Sequence, residues 1–305
     1  MKYTKIVSVY PKRNGDVYIW RRDKGRVVCI KDNFKPFILI SKDLITDELE
    51  YCEVEQLKGE LFYSLKLNIL HYKLFEKCFV KIYNQKFNTA ETQISNKMEG
   101  VKLFNLTEQY LLQSNNRYYE DLKYDEIKRV QIDIETTGLL NNPDAKLFMI
   151  SIKSTCGFEK VIHDEDELSL LSSLNYIINT LDPDIIENHN IFEFDIPFLL
   201  KTANKYNYPL CLSRLANTTY NHSDTYKYGG ITAPFTRTIF AGREIVDTLH
   251  SARKYDADTG HFKSNCGLKN VAKVLGISRD DNSYISGDLI YKTYLSNPEA
   301  VVKYA

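Results

Sequence analysis

Two carboxylates separated by one residue, Asp133 and Glu135, are the feature of this chain that points most directly to chemistry. They lie in the run RVQIDIETTG, from Arg129 to Gly138, in which apolar and polar residues alternate. Such alternation predicts a half-buried β-strand, and side chains two apart on a strand share a face. Two like charges held together are costly unless a proton or a cation neutralises them, so a divalent metal ion would explain the pair. The alternative is an ordinary solvated strand face, because D-x-E is a common tripeptide.

A third carboxylate, Asp195, lies in a second motif, ENHNIFEFDIPFLL, which begins at Glu187. Ile185 and Ile186 predict the end of a short strand just before this motif. A helix should begin at Asp195, because Pro197 is tolerated in the first turn of a helix. Taken alone, Asp195 is explained equally well as a helix N-cap and as a metal ligand.

Together, the two motifs resemble the exonuclease motifs of family B DNA polymerases. In that family the first motif reads D-I-E-T and the second reads N-x-x-x-F-D-x-P, which Asn190, Phe194, Asp195 and Pro197 match here. Two motifs in the same order and at a plausible separation make a stronger signal than either alone.

Two further segments extend the resemblance. The run AGREIVDTL, from Ala241, is similar to the family's G-R-x-x-x-D strand, and CGLKNVAKVLG, from Cys266, is similar to its S-L-x-x-V-A-x-x-L-G helix. Gly267 stands where the family usually has Ser or Thr, so a hydroxyl contact at that position is not expected.

The resemblance implies a 3′–5′ exonuclease that uses two Mg²⁺ or Mn²⁺ ions held by carboxylates. Two such ions about 4 Å apart activate water, relieve phosphate charge and stabilise the leaving oxygen, and both ions prefer oxygen ligands. Asp133 would bridge the ions, Glu135 would hold the ion on the water side, and Asp195 would hold the ion near the leaving group. The residues implied to contact the nucleic acid are Thr136, Thr137, Leu139, Asn190, Phe194 and Leu268.

A fourth carboxylate and a Tyr that orients the water are also implied, in the pattern Y-x-x-x-D. The final stretch, NPEAVVKYA, resembles the helix that carries this third motif, which makes Tyr304 the candidate catalytic tyrosine. On this interpretation the fourth acid would follow Ala305, and the chain would be a piece of a longer protein. The alternative third motif is Tyr284 with Asp288.

The order of predicted elements gives an α/β fold with two domains. Residues 125–305 predict a ribonuclease-H-like exonuclease domain, a mixed sheet flanked by helices, from strands followed by alternating helices and strands. Residues 1–124 predict a β-rich α+β domain, which resembles the N-terminal domain of family B polymerases only loosely. The segment Asp224–Phe240 is long for a connection and predicts either a hairpin near the template–primer junction, by resemblance, or a surface loop.

The composition sets further limits. Lysines and arginines total 40 and balance 40 acidic residues, which argues against a protein that coats polyanions generally. No segment approaches the length of a membrane span, and six scattered cysteines without a CxxC pair indicate reduced thiols in the cytoplasm. The basic N-terminal stretch is explained equally well by a solvated hairpin and by a nucleic-acid contact.

Three functions follow as hypotheses. The first is the N-terminal and exonuclease region of a family B DNA polymerase, which would proofread single-stranded 3′ ends of primer–template DNA during replication, with the polymerase domain absent from this chain. The second is a free-standing exonuclease of the same fold. The third is a catalytically silent nucleic-acid-binding module.

Overall fold

The computed structural model describes residues 2–59, 61–216, 218–278, 285–287 and 289–305. The chain divides into two compact units, Met1–Leu122 and Lys123–Ala305. None of the helices in the described ranges combines the length and the apolar character that crossing a membrane requires.

The first unit is built from two antiparallel sheets and two α-helices, as far as its residues are described. Its elements are β1 (Ile6–Pro11), β2 (Asp16–Asp23), β3 (Arg26–Asn33), β4 (Phe37–Ile40), β5 (Cys52–Gln56), β6 (Leu65–Ile69), α1 (Tyr72–Phe87), β7 (Val101–Lys102) and α2 (Leu106–Ser114). One sheet has the order β1-β2-β3 and the other has the order β5-β6-β4-β7. Strands β1 and β2 pair antiparallel and form a hairpin that turns around Asn14 and Gly15.

The second unit contains a five-stranded mixed sheet with the order β10-β9-β8-β11-β14. Its strands are β8 (Arg129–Thr136), β9 (Leu147–Ser154), β10 (Glu159–His163), β11 (Ile185–Asn188) and β14 (Glu244–Asp247). Strands β8, β9 and β10 form an antiparallel meander, whereas β11 lies parallel to both β8 and β14. The predicted mixed sheet is therefore confirmed.

The helices of the second unit are α3 (Glu167–Leu181), α4 (Asp195–Lys205), α5 (Thr248–Thr259), α6 (Leu268–Val274), α7 (Ile290–Ser296) and α8 (Pro298–Tyr304). Helix α3 begins where Asp166 accepts hydrogen bonds from the backbone N–H groups of Leu168 and Ser169, as an N-cap does. Its apolar residues pack with those of β8, β9 and α4 in one core.

The segment that follows α4 forms a long hairpin of β12 (Thr219–Tyr228) and β13 (Ile231–Phe240). The two strands pair antiparallel along their whole length. Of the two predictions for Asp224–Phe240, the surface loop is wrong and the hairpin is confirmed as an element. Its placement near a template–primer junction stays a prediction.

Parallel pairing of β8, β11 and β14 brings the carboxyl ends of these three strands to one edge of the sheet. Ligand sites of open α/β sheets commonly lie at this edge. Asp133 and Glu135 lie toward the end of β8, Asn188 ends β11 and Asp247 ends β14. Residues more than 100 positions apart in the chain thus lie at one edge of the sheet.

Candidate functional site

Asp133 and Glu135 project from one face of β8, as the sequence predicts. Val130, Ile132 and Ile134 take the other face and are nearly inaccessible to solvent. A shift of the pairing register of β8 by one residue would expose these apolar side chains, so their burial fixes the register of the strand. The fixed register holds both carboxylates on the same side. A β-bulge after Glu135 then interrupts the regular pairing with β9.

The two carboxylates of β8 interact through their charges. Desolvation raises the pKa of Asp133 above its ordinary value. Desolvation, and next the charge of Asp133, raise the pKa of Glu135 to about 7, while the nearby Lys269 ammonium acts in the opposite direction. A group whose ionised form is disfavoured in this way is stabilised by any cation that binds beside it.

Asp195 is the first residue of α4, and its side chain is almost fully buried. It is not an N-cap: Phe194 takes that position, and the helix has no side-chain capping bond. Burial, and next the charge of Asp133, raise the pKa of Asp195 to about 8. The capping explanation of Asp195 is therefore wrong, and the residue is a buried acid coupled to Asp133.

Asn188 connects the carboxylates that come from different elements. Its side-chain Nδ2 donates to Asp133 Oδ1 at 2.9 Å and to Asp195 Oδ1 at 3.2 Å. Both amide hydrogens are thereby used on carboxyl groups, and each of these bonds becomes stronger when its carboxyl group is ionised. Asn188 lies within the second motif, but the sequence predicts no role for it.

Asp247 shapes the backbone of the second motif. Its Oδ1 accepts from the N–H of Asn190 at 2.9 Å, and its Oδ2 accepts from the N–H of Phe192 at 3.4 Å. The Oδ1 atom also accepts from Leu249 N–H, which caps α5. Asn190 has a φ of +77°, a left-handed conformation that Asn tolerates better than most residues. Asp247 was visible in the sequence only as the last residue of the G-R-x-x-x-D pattern.

The turn after β8 holds three of the residues predicted to contact nucleic acid. The Thr136 hydroxyl donates to the carbonyl oxygen of Gly138 at 2.8 Å, and Thr137 Oγ1 accepts from Lys146 N–H at 2.9 Å. Both hydroxyls therefore stabilise the turn. Leu139 is 69% exposed, which leaves its side chain available for contact.

The remaining predicted contact residues lie on two helices and in the second motif. Phe194 is half-buried at the start of α4, with its ring centroid 6.0 Å from that of Phe198. Leu268 is 55% exposed as the first residue of α6. Asn190 is held through its backbone by Asp247, as described above.

Tyr304 lies in α8 and contacts the site through Lys269. The Lys269 Nζ atom lies 5.7 Å from the centroid of the Tyr304 ring, within the range of a cation–π interaction. The charge of the same ammonium opposes the rise in the pKa of Glu135 that desolvation and Asp133 cause. Lys269 was missed in the sequence because a lysine on an exposed helix has no distinguishing pattern.

The alternative third motif, Tyr284 with Asp288, lies outside the described residues.

The chemistry of the donor set fits a hard divalent cation. Asp133, Glu135 and Asp195 offer only oxygen ligands, and their charges oppose one another. Within the described ranges, no three His, Cys, Asp or Glu side chains converge into a ready-made metal cluster. The carboxylates thus fit the ion in kind, and the Asn188 amide bridges two of them.

Aromatic contacts attach the β12–β13 hairpin to α5. The Tyr226 ring stacks on His250 with centroids 3.6 Å apart, and Phe235 meets the same imidazole edge-on at 4.7 Å. The Arg237 guanidinium lies over the rings of Phe235 and Phe192. Because Phe192 belongs to the second motif, the hairpin packs directly against the segment that carries Asp195.

Comparison with known proteins gives consistent matches. Residues 112–263 match the family model described as DNA polymerase family B, exonuclease domain. A DNA polymerase of Archaeoglobus fulgidus is 29% identical over 211 residues, which cover 68% of this chain and 25% of that protein. The family B DNA polymerase of the hyperthermophilic archaeon Pyrobaculum calidifontis shares the fold, with a TM-score of 0.70 and 17% identity over 97% of this chain and 43% of the other. The chain therefore spans a quarter of the first protein and less than half of the second.

Proposed function

We propose that the chain hydrolyses DNA from its 3′ end, because residues 112–263 match the family model of the exonuclease domain of the family B DNA polymerases. The observation that carries the proposal is the convergence of three carboxylates from two elements: the Asn188 amide joins Asp133 to Asp195, and burial, and next the charge of Asp133, raise the pKa of both Glu135 and Asp195. The products would be nucleoside 5′-monophosphates.

The carboxylates would hold two Mg²⁺ or Mn²⁺ ions. When bound, such ions supply an activated water, neutralise phosphate charge and stabilise the leaving 3′-oxygen. Asp133 is coupled to both other acids, which suits a residue that bridges the ions. Glu135 would serve the side of the attacking water, and Asp195 the side of the leaving group.

The Tyr304 hydroxyl would orient the attacking water. Its ring lies near the Lys269 ammonium, whose charge also reaches Glu135, so Tyr304 and Glu135 share one environment. A phenol is suited to this role, because it both donates and accepts a hydrogen bond.

The DNA strand would lie along the turn after β8 and the start of α4. Exposed Leu139 and Leu268 would contact the terminal bases, and the half-buried Phe194 ring would offer a face for stacking. Thr136 and Thr137 would act through the turn that they stabilise, and Asn190 would bind the strand.

The exonuclease would proofread primer ends that a polymerase domain delivers during replication. The similarity to a protein named DNA polymerase supports this partnership. A free-standing exonuclease would have the same site and would differ in lacking that partner.

An assay of mononucleotide release from a 5′-labelled single-stranded oligonucleotide, with Mg²⁺ or Mn²⁺, tests the proposal. Asp133→Asn and Asp195→Asn should each lower the rate by at least about 10³-fold, because each removes a ligand of the reacting centre. Tyr304→Phe should lower it less, by about 10–100-fold. Glu193→Gln is the matched control, since Glu193 is an exposed acid within the second motif and should leave the rate unchanged.

One observation favours a second candidate, a nucleic-acid-binding module without hydrolytic activity. The described residues contain no group of three side chains arranged to enclose a metal ion. If the unsubstituted chain retains the oligonucleotide but releases no mononucleotide with either ion, the binding module replaces the exonuclease.

A further inference from the structure

Asn188 contacts two acids of the candidate site, and its role there rests on the proposed function. Its amide lies between Asp133 on β8 and Asp195 on α4, and each N–H donates to a different carboxylate. Hydrogen bonds to a carboxylate from a neutral amide favour its ionised form, which is the form that binds a cation.

The backbone of Asn188 is held on the opposite side by β14. Asn188 pairs with Asp247 in the parallel register of β11 and β14, and its carbonyl oxygen accepts from Thr248 Oγ1 at 3.3 Å. The side chain therefore projects from the end of a paired strand, and it can fix the position of groups that contact it. Polar side chains on paired strands position a site better than side chains on loops do.

Asp133 and Asp195 keep capacity for a cation while they accept these bonds. An ionised carboxylate offers about four lone-pair sites, and the amide uses one on each acid. A cation and the amide can therefore be held at the same time. Metal-binding carboxylates are commonly oriented by hydrogen bonds from residues that do not touch the metal.

We propose that Asn188 is a positioning residue that orients Asp133 and Asp195 for a divalent cation. Its two N–H donors fix the separation and the rotation of the two carboxylates, which come from different elements and repel each other. Without the amide, the two acids would turn apart, and the ion would have to bring them together.

Titration of the metal-free protein with Mn²⁺, followed by electron paramagnetic resonance, tests this role. Asn188→Ala should raise the Kd for Mn²⁺ by about 10–100-fold, the loss typical of residues that orient metal ligands. If that variant does not fold, Asn188→Ser, which keeps one donor on a shorter side chain, should change the Kd in the same direction. In the mononucleotide assay, the half-saturating Mn²⁺ concentration should rise by the same factor, and saturating Mn²⁺ should restore most of the rate.

Asn175→Ala is the matched control. Asn175 is a buried amide of the same unit that also joins two segments, since it donates to the Pro209 carbonyl oxygen and accepts from Cys211 N–H. It contacts no site carboxylate, so its loss should destabilise the fold without changing the Kd for Mn²⁺.

Three results would overturn the inference. Unchanged or tighter Mn²⁺ binding by Asn188→Ala, with normal binding by the unsubstituted protein, would refute the positioning role and leave the proposed function intact. An equal loss in Asn175→Ala would show that general destabilisation causes the effect. If the unsubstituted protein binds Mn²⁺ no better than Asp133→Asn does, this result would refute both the metal site and the role of Asn188.

Discussion

The two ends of strand β11 hold acidic clusters that are neutralised in different ways. At its amino end, Arg214 donates from Nε to Asp182 Oδ1 at 2.7 Å and from Nη2 to Asp184 Oδ1 at 3.1 Å. Arg243 adds a bond to Asp182 Oδ1 at 3.1 Å. Although burial alone raises it, bonds and charge from Arg214, and then from Arg243, hold the pKa of Asp182 below its ordinary value.

At the carboxyl end of β11, the acids meet a neutral amide. Asn188 donates to Asp133 and Asp195, yet the pKa of Asp195 is raised to about 8 and that of Glu135 to about 7. The chain's own guanidinium groups satisfy the charges of the first cluster, which makes it a structural element. In the second cluster, burial and mutual repulsion disfavour the ionised acids, which is the electrostatic setting in which the proposed function would place a cation from solution.

Breaking the arginine cluster should have the largest effect on stability. Arg214→Ala leaves Asp184, which is 0% exposed, without its guanidinium partner. Removing one partner of a buried ion pair costs about 3–5 kcal/mol of unfolding free energy. Denaturant unfolding measures the loss, and Lys153→Ala, which breaks an exposed ion pair with Glu159, should change the unfolding free energy by less than about 1 kcal/mol. Equal effects of the two substitutions would contradict the comparison.

Neutralising an acid should have opposite effects at the two ends of β11. Asp195→Asn should raise the unfolding free energy of the metal-free protein by about 1–3 kcal/mol at pH 8, because it removes a buried charge opposed by Asp133. Asp184→Asn should lower the unfolding free energy, because it removes the partner of Arg214. Thermal and denaturant unfolding of both variants measure whether each substitution raises or lowers the unfolding free energy. Destabilisation of both variants would contradict the difference between the two clusters.

Mn²⁺ should stabilise only the second cluster. At about ten times its Kd, the ion should add about 1.4 kcal/mol to the unfolding free energy of the unsubstituted protein. The gain should disappear in Asp133→Asn and should persist in Asp184→Asn, since Asp184 bonds to Arg214. Thermal melts with and without Mn²⁺ measure it, and a gain that survives Asp133→Asn would place the ion elsewhere.

The unfolding free energy should depend on pH in opposite directions for the two clusters. Each titrating group should change it by at most about 1.4 kcal/mol per pH unit. Asp195 has a folded pKa of about 8, above its ordinary value of about 4, so its cost to stability grows as pH rises through this window. The gain from Asp195→Asn should therefore increase from pH 5 to pH 8 and then level off. Asp182 has a lowered folded pKa, so its contribution is present above about pH 4 and is lost as pH falls below that value. Unfolding free energies measured from pH 3 to pH 9 test both trends. A gain from Asp195→Asn that is constant with pH would refute the trend expected for Asp195.

Much of the mixed sheet could be predicted from local patterns. The alternation around Asp133 gave the strand and its polar face, and the apolar run after Asp195 gave the helix that begins there. Burial on a period of two or of 3.6 residues is a local property, so a single sequence reveals it. The hairpin β12–β13 was left open between two alternatives, because its polar strands show little such contrast in burial.

Asn188 and Lys269 could not be found in this way. The contacts of Asn188 depend on Asp133, 55 residues earlier in the chain, and on the start of α4. The relation of Lys269 to Glu135 and Tyr304 joins three elements that are distant in sequence. Neither residue is part of a periodic pattern, and amide and lysine side chains are mostly exposed in folded proteins.

The sequence alone determined which acids share a strand face, where the helix of the second motif begins, and which family the motifs resemble, because these follow from nearest neighbours along the chain. Tertiary structure alone decided that Asp195 is a buried acid rather than a cap, and that Asn188 joins it to Asp133. It also decided that the acids at the other end of β11 have arginine partners. The physical reason is that desolvation and charge coupling depend on distances in space, which parallel strand pairing sets between residues far apart in the sequence.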